Sequence, residues 1–234
     1  MVGHRVRQSV HVAATVASLI LVLAVTAFAA DGERSPPGQF DYYVLALSWS
    51  PSYCESSKER APARKPTLQC SGRPFAFVVH GLWPQYTQGF PSYCQVPAPR
   101  VERRLVDAML DLMPSRRLVY YEWDRHGTCS GLNPQGYFDT LRKAREAVTI
   151  PLAYRAPAES LTVSPADITA AFIAANPGLS TSAITIACNK TRLMEVRLCL
   201  NKDLSFHDCG AIARRVCRRD AVVMPAVRAH GAEK

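Results

Sequence analysis

Phe75-Ala76-Phe77-Val78-Val79-His80-Gly81-Leu82-Trp83-Pro84 is the stretch on which the reading of this chain turns. Its first five residues are aromatic and aliphatic, the composition of a short buried strand. Gly81 and Pro84 are residues that break a sheet ladder, so a strand is predicted over 75–79 with His80 delivered at its end. Toward the N-terminus, Tyr42-Tyr43-Val44-Leu45-Ala46-Leu47-Ser48-Trp49 predicts a second buried strand, stopped by Pro51. The basic, proline-containing stretch 58–66 reads as an exposed loop. Toward the C-terminus, Val101, Leu105, Val106, Met109 and Leu112 recur at helical spacing before Pro114, which predicts a helix over 100–113. Asn133-Pro134 is an N-cap followed by a first-turn proline, and a helix over 134–148 would bury Tyr137, Phe138, Leu141 and Ala144 on one face. A third helix starts at Ser164-Pro165-Ala166-Asp167 and stops at Asn176-Pro177-Gly178. Two strands follow over 183–188 and 192–200, the second alternating Leu193, Glu195 and Arg197 against Met194, Val196 and Leu198. Strands at both ends with helices between them indicate an α+β fold in one domain.

Residues 1–29 stand apart from that domain, which is read as 30–234. Arg5 and Arg7 precede an uncharged apolar run from Val12 to Ala30 with the small-residue pattern Ala27-Phe28-Ala29, the layout of a cleaved signal peptide. An uncleaved anchor is the alternative, because the run approaches the roughly 20 residues that span a bilayer. Loss of Arg5 and Arg7 lowers the formal charge from +9 to about +7, a balance that attracts polyanions but is common in secreted proteins without a nucleic-acid role. The eight cysteines all follow the leader, and their even count fits disulfides formed in an oxidising compartment, secreted or periplasmic. A zinc site is the rival reading, but there is no Cys-x-x-Cys pair and no finger or knuckle spacing.

Of six histidines, His4 and His11 lie in the leader and His230 in a polar tail. His207, between Cys199 and Cys209, reads as surface structure, which leaves His80 and His126. His126 lies in Tyr121-Glu122-Trp123-Asp124-Arg125-His126-Gly127-Thr128-Cys129, where Glu122, Arg125 and His126 would share one face of a helical turn. That spacing alone also describes an ordinary salt-bridged helix face. A second imidazole changes the balance, because two groups with pKa values near ~6.5 suit a reaction needing one neutral base and one protonated acid. RNA cleavage through its own 2′-hydroxyl is such a reaction: one histidine takes the 2′-hydroxyl proton, the other protonates the leaving 5′-oxygen, and a cation such as Arg125 offsets charge on the phosphoryl oxygens.

Phe77-Val78-Val79-His80-Gly81-Leu82-Trp83-Pro84 and Glu122-Trp123-Asp124-Arg125-His126-Gly127-Thr128-Cys129 resemble the two active-site motifs of the ribonuclease T2 family. Leu45-Ala46-Leu47-Ser48-Trp49-Ser50-Pro51-Ser52-Tyr53-Cys54 and the Gly136-Tyr137-Phe138 helix start are similar to the same family, so the resemblance spans most of the chain after the leader. The resemblance implies a central antiparallel sheet packed with helices. It implies His126 as general base, His80 as general acid, Glu122 and Arg125 stabilising the phosphorane-like state, 2′,3′-cyclic phosphates as first products, and no metal or cofactor. Arg125 stands where the family usually has lysine, and Tyr121 where many members carry a further histidine. Trp83 and Phe90 are implied as base-stacking surfaces, with Gln85 where an acidic residue often reads the base edge. Stacking is sequence-tolerant, so broad base usage is expected; Trp83 or Phe90 filling the core is the alternative. Family and spacing together imply the pairs Cys54–Cys70, Cys94–Cys129, Cys188–Cys217 and Cys199–Cys209. The expected partner is single-stranded RNA, bound by a monomer with no stable DNA binding and no membrane contact once the leader is removed. A non-cleaving binding module of the same fold and a basic polyanion-binding protein are the rivals; neither accounts for both histidine motifs.

Overall fold

In the computed structural model the apolar run at 42–49 forms strand β1 (Tyr42–Trp49), and what lies on either side of it sets the site. The described residues are Met1, Gly3, 35–63, 65–210, 212 and 216–228, so all of the expected leader except Met1 and Gly3 lies outside them. Arg34–Lys234 forms a unit of its own. After β1 come α1 (Ser50–Arg60), β2 (Phe77–Gln85), α2 (Arg103–Ala108), α3 (Arg116–Arg125), α4 (Pro134–Glu146), β3 (Leu161–Val163), α5 (Pro165–Ala175), β4 (Ile184–Cys188), β5 (Leu193–Leu200) and β6 (Val222–Met224). The main sheet is antiparallel in the order β2-β1-β5-β4, and β3 pairs with β6 in a separate ribbon. This is the α+β architecture expected, with the antiparallel sheet that the family resemblance implies.

Because side chains alternate along a strand, β1 divides the molecule. Tyr43, Leu45, Leu47 and Trp49 are buried in the main core with Val79, Leu82, Val196 and Leu198 from the neighbouring strands and with Trp123, Tyr137 and Phe172 from α3, α4 and α5. Burial of large apolar side chains, each worth about 1.5–3 kcal/mol, holds the helices to that face. On the other face Tyr42 and Val44 meet the Cys199–Cys209 disulfide in a small cluster that Trp83 borders. The helix starts carry their caps: Ser115, Asn133 and Ser164 accept hydrogen bonds from the backbone N–H groups of Leu118, Gly136 and Asp167. All eight cysteines are bridged, in the four pairs that the resemblance implies.

Three local expectations are corrected. The strand predicted to end at Val79 runs on through the His80–Pro84 motif to Gln85, because β2 is an edge strand of the sheet, where a proline costs no ladder bond on its solvent side. Pro51 does end β1, but as a first-turn residue of α1, which reaches Arg60 and so takes in the start of the predicted 58–66 loop. The helix predicted over 100–113 is confined to Arg103–Ala108. From Met109 on the backbone tightens into turns, the N–H groups of Met109, Leu110 and Leu112 donating to carbonyls three residues back, and the Leu112 carbonyl accepts from the Val79 N–H of β2 at 2.9 Å, while Met109 and Met113 stay buried.

The Tyr137 hydroxyl, fully buried, donates to the Leu82 carbonyl of β2 at 2.9 Å and ties α4 to the strand that carries the first motif. Tyr137→Phe should leave that carbonyl short of a partner and lower stability by about 1–2 kcal/mol, read as a fall of several degrees in the midpoint of thermal unfolding.

Candidate active site

His80 owes its position to one extra residue. Ala46 pairs with Gly81 and Leu47 with Val79, so His80 is the unpaired residue of a β-bulge in β2. Bulges re-aim a side chain away from the regular alternation. The same register puts Gly81 and Trp83 on the face of Val44, Ala46 and Ser48, with Glu195 and Arg197 of β5 beside them. That face, opposite the main core, is the floor of a cleft of about 410 Å³ lined by His80, Trp83, Gln85, Phe90, Tyr121, Glu122, Arg125, His126 and Arg197, among others.

The wall is the last turn of α3. Val119 and Trp123 anchor it in the core, and His126 is its C-cap, its N–H donating to the Glu122 carbonyl at 2.9 Å. The Tyr93 N–H donates to the Arg125 carbonyl at 2.9 Å, and the Cys94–Cys129 bridge locks the same loop to the turn that follows α3. The loop carrying Phe90 is thereby pinned against the histidine. The rings of Trp83 and Phe90 lie 5.6 and 6.3 Å from that of His126, and Trp83 is 5.3 Å from His80, so the indole sits between the two imidazoles. Phe90 is 47 % exposed and Trp83 half-buried at the cleft, so neither fills the core.

Glu122 joins floor to wall. It is 1 % exposed; its Oε2 accepts the Trp83 indole N–H at 2.8 Å, and its Oε1 lies 3.7 Å from His80 Nε2. A Cβ at Gly81 would overlap both Glu122 Oε2 and Trp83 Nε1, which explains the glycine. The guanidinium of Arg125 lies among three aromatic rings, Phe90, Tyr93 and Tyr121, at 5.8–5.9 Å from their centres, and donates to the Tyr121 hydroxyl. Gln85 lines the cleft, but its side-chain nitrogen donates to the Pro84 carbonyl at 3.0 Å. His207 is outside the cleft, its ring 4.7 Å from that of Tyr42.

Two residues that the motif analysis did not single out belong here. Glu195 Oε1 is 2.6 Å from His80 Nδ1 and accepts from Ser48 Oγ at 3.2 Å, while Glu195 Oε2 accepts from Arg197 Nη2 and Nε at 2.6 and 2.8 Å. The guanidinium of Arg197 is 5.4 Å from the Trp83 ring centre. The available signal was a pair of opposite charges two apart in an otherwise apolar strand, which puts both on one face. Among the described residues no group of three His, Cys, Asp or Glu side chains is arranged to hold a metal ion.

The imidazoles differ in proton affinity. Burial pulls His80 down, but the hydrogen bond and charge of Glu195, with the charge of Glu122, outweigh it, and its pKa is raised. His126 is pulled down to about 3 by burial and by the positive charges of Arg125 and His80, and its buried Nδ1 has no hydrogen-bond partner among the described residues. Burial pushes Glu122 up to about 7 against the opposing effects of His80 and Trp83. Glu195, although buried, is held down at about 2 by His80 and Arg197. One cleft thus contains an imidazole that keeps its proton and another that gives it up.

Residues 40–209, which include every candidate site residue outside the last disulfide partner, match the model of the ribonuclease T2 family. The chain belongs to the ribonuclease T2 family. Its relatives include a ribonuclease of Aeromonas hydrophila, 44 % identical over 124 residues that cover 52 % of each chain, and a probable ribonuclease of Haemophilus influenzae, 35 % identical over 47 % of this chain and 44 % of that one. The match thus spans about half the length of these two relatives. Ribonuclease DdI of Dictyostelium discoideum is 31 % identical over 83 % of this chain and 91 % of its own. Among solved structures, RNase NT in complex with 5′-AMP superposes with a TM-score of 0.58 at 26 % identity, over 73 % of this chain and 91 % of that one. An RNase-related protein from Calystegia sepium shares the ribonuclease T2 fold at a TM-score of 0.63 and 22 % identity, over 81 % and 98 % of the two chains.

Two outcomes follow from this packing. Gly81→Ala should part Glu122 from Trp83 and lower stability by about 1–3 kcal/mol, with a change in tryptophan fluorescence as the indole loses its carboxylate. In acid, the unfolded chain takes up protons that His126 and Glu195 refuse in the folded state: the contribution of His126 is lost as pH falls from about 6.5 toward 3, that of Glu195 from about 4.5 toward 2. The melting temperature should therefore fall steeply below pH 4.5, and His126→Asn should make that fall shallower.

Proposed function

We propose that the chain is a secreted, metal-independent endoribonuclease that cleaves single-stranded RNA by transesterification, with His126 as general base and His80 as general acid. The observation that carries this reading is the opposite displacement of the two imidazoles within one cleft, since a reaction that removes one proton and supplies another needs one neutral and one protonated group at the same pH. His126 takes the proton of the 2′-hydroxyl as that oxygen bonds to phosphorus. The P–O5′ bond breaks, and the 5′-oxygen leaves with the proton of His80. The product is a 2′,3′-cyclic phosphate, which water opens with the two histidines in exchanged roles.

Arg125, which makes no salt bridge to a carboxylate among the described residues and donates to the Tyr121 hydroxyl, supplies positive charge for the phosphoryl oxygens. Glu122, its pKa pushed up to about 7 by burial, provides a carboxyl that can donate a hydrogen bond to a phosphoryl oxygen when protonated. Trp83 and Phe90 border the reacting groups with aromatic faces, which supports base stacking and broad base usage. Gln85, its nitrogen already engaged, contributes only a modest base-edge contact. DNA lacks the attacking hydroxyl and is not a substrate of this mechanism. The leader expected over residues 1–29 and the four disulfides support an oxidising compartment outside the cytoplasm.

The test is cleavage of a single-stranded RNA in EDTA across pH 3 to 9. The protein should yield 2′,3′-cyclic phosphate ends, with kcat/KM bell-shaped in pH: an acid limb well below 6.5, set by His126, and an alkaline limb above 6.5, set by His80. His80→Ala and His126→Ala should each lose activity by roughly 10²–10⁴-fold. An inert but folded and fully bridged protein that still binds RNA would replace this reading with a binding module.

A further inference from the structure

Glu195 sits beside the general acid, held by Arg197, which also lines the cleft. Both oxygens of Glu195 are occupied, Oε1 by His80 Nδ1 and the Ser48 hydroxyl, Oε2 by two nitrogens of Arg197. No lone pair is left over for a substrate, so anything Glu195 does for the reaction it does through the imidazole. His80 needs such a partner. As the extra residue of a bulge it has no cross-strand neighbour on β1 to hold its ring, and its side chain is 36 % exposed. Without a constraint the ring could turn about its Cβ–Cγ bond and present either nitrogen to the cleft.

The contact that supplies the constraint crosses a whole strand. Glu195 lies on β5, and β1 runs between β5 and β2 with Ser48 directly opposite Glu195. Neighbouring strands are about 4.8 Å apart, so the carboxylate and the imidazole meet above Ser48, where a small hydroxyl both leaves the room and donates a hydrogen bond. Arg197, two residues on along the same face, grips the far oxygen and keeps the carboxylate ionised and fixed.

We propose that Glu195, seated by Arg197 and Ser48, is the positioning residue of the general acid: it holds the Nδ1–H of His80 so that the Nε2–H faces the leaving 5′-oxygen, and it keeps that proton on the ring. This rests on the reading of His80 as the acid. The charged and titratable groups that face His80 are Glu195 and Arg197 from β5, Glu122 from α3 and His126 at the end of α3. Glu195 and Glu122 raise the proton affinity of His80, whereas burial and Arg197 lower it. Removal of the Glu195 charge therefore leaves the lowering influences against Glu122 alone, and Arg197 unneutralised beside the ring. The alkaline limb of the pH profile must then move to lower pH.

The experiment compares wild type, Glu195→Gln, Glu195→Ala and His80→Ala on two substrates. One is a dinucleotide, whose 5′-alkoxide must be protonated as it leaves; the other is a uridine 3′-(nitrophenyl) phosphate, whose phenolate leaves without a proton. Glu195→Gln keeps an acceptor for Nδ1–H but loses the charge, so the alkaline limb on the dinucleotide should fall by about one pH unit or more, with activity at pH 5 within a few-fold of wild type. Glu195→Ala loses orientation as well, and should drop by roughly 10²-fold on the dinucleotide even at pH 5 while losing far less on the aryl ester. A general loss of cleft structure would lower both substrates together. The proposal is overturned if both Glu195 variants retain the wild-type limb, or if Glu195→Ala loses both substrates equally. If instead His80→Ala cleaves the dinucleotide as well as wild type, the assignment of the acid itself fails, which the same data separate from a failure of Glu195. Titration of the His80 ring nitrogens by NMR in Glu195→Gln gives the shift without reference to turnover.

Discussion

Antiparallel pairing between β1 and β2, with one residue more on β2 than on β1, is the constraint on which the rest of the site depends. Up to Ala46 and Gly81 the two strands run in one register; from Leu47 and Val79 onward they run in another. The residue between is His80. Regular pairing would have placed it within the alternation, committed either to the packed face or to the floor. As a bulge it stands at the rim, where Glu195 reaches it from two strands away and Glu122 from the end of α3. The bulge is tolerated because both flanking residues are tightly held: Val79 is buried in the main core and also donates to the Leu112 carbonyl, and Gly81 lies beneath the Glu122–Trp83 contact.

The two faces of the sheet have opposite tasks. One buries Leu45, Leu47, Trp49 and their neighbours, which gives the helices something to pack on. The other supports charged groups in poorly hydrated positions, where burial disfavours whichever form is charged. Glu122 and His126 are close to fully buried, and burial moves each toward its neutral form, in Glu122 against the opposing charge of His80. Glu195 is as enclosed, yet two cationic partners keep it charged. Groups of similar burial thus end in different protonation states according to their neighbours. A buried imidazole nitrogen without a partner among the described residues, as at His126 Nδ1, lowers stability, and the same burial keeps the ring neutral.

Disulfides stiffen the cleft at its two ends. Cys94–Cys129 joins the Phe90–Tyr93 loop to the turn after α3, so the aromatic rim and His126 move as one piece. Cys199–Cys209 ties the end of β5 to the segment that passes behind Tyr42, on the floor face of the sheet. By the loop-entropy model each closure is worth about 2–4 kcal/mol, comparable with the penalties that buried polar groups impose.

The α+β class, β1, β4, β5, the helices at α4 and α5 and the two histidine motifs were legible in the residues themselves, because periodicity, caps such as Asn133 and Ser164, and short motifs are local properties of a chain. The course of β2 through Gly81 and Pro84 was not, since it depends on β2 lying at a sheet edge. Nor was the early end of α2, after which the chain tightens into three-residue turns and meets the edge of β2 through the Leu112–Val79 hydrogen bond. Glu195 escaped motif reading for the same reason: it lies 115 residues from His80, and only the strand order brings them to 2.6 Å. The proton affinities are tertiary in origin as well. Residue type makes His80 and His126 equivalent, with the same intrinsic pKa; burial and Coulomb interactions with groups far away in the chain separate them, and those depend on distances in space that no local pattern contains.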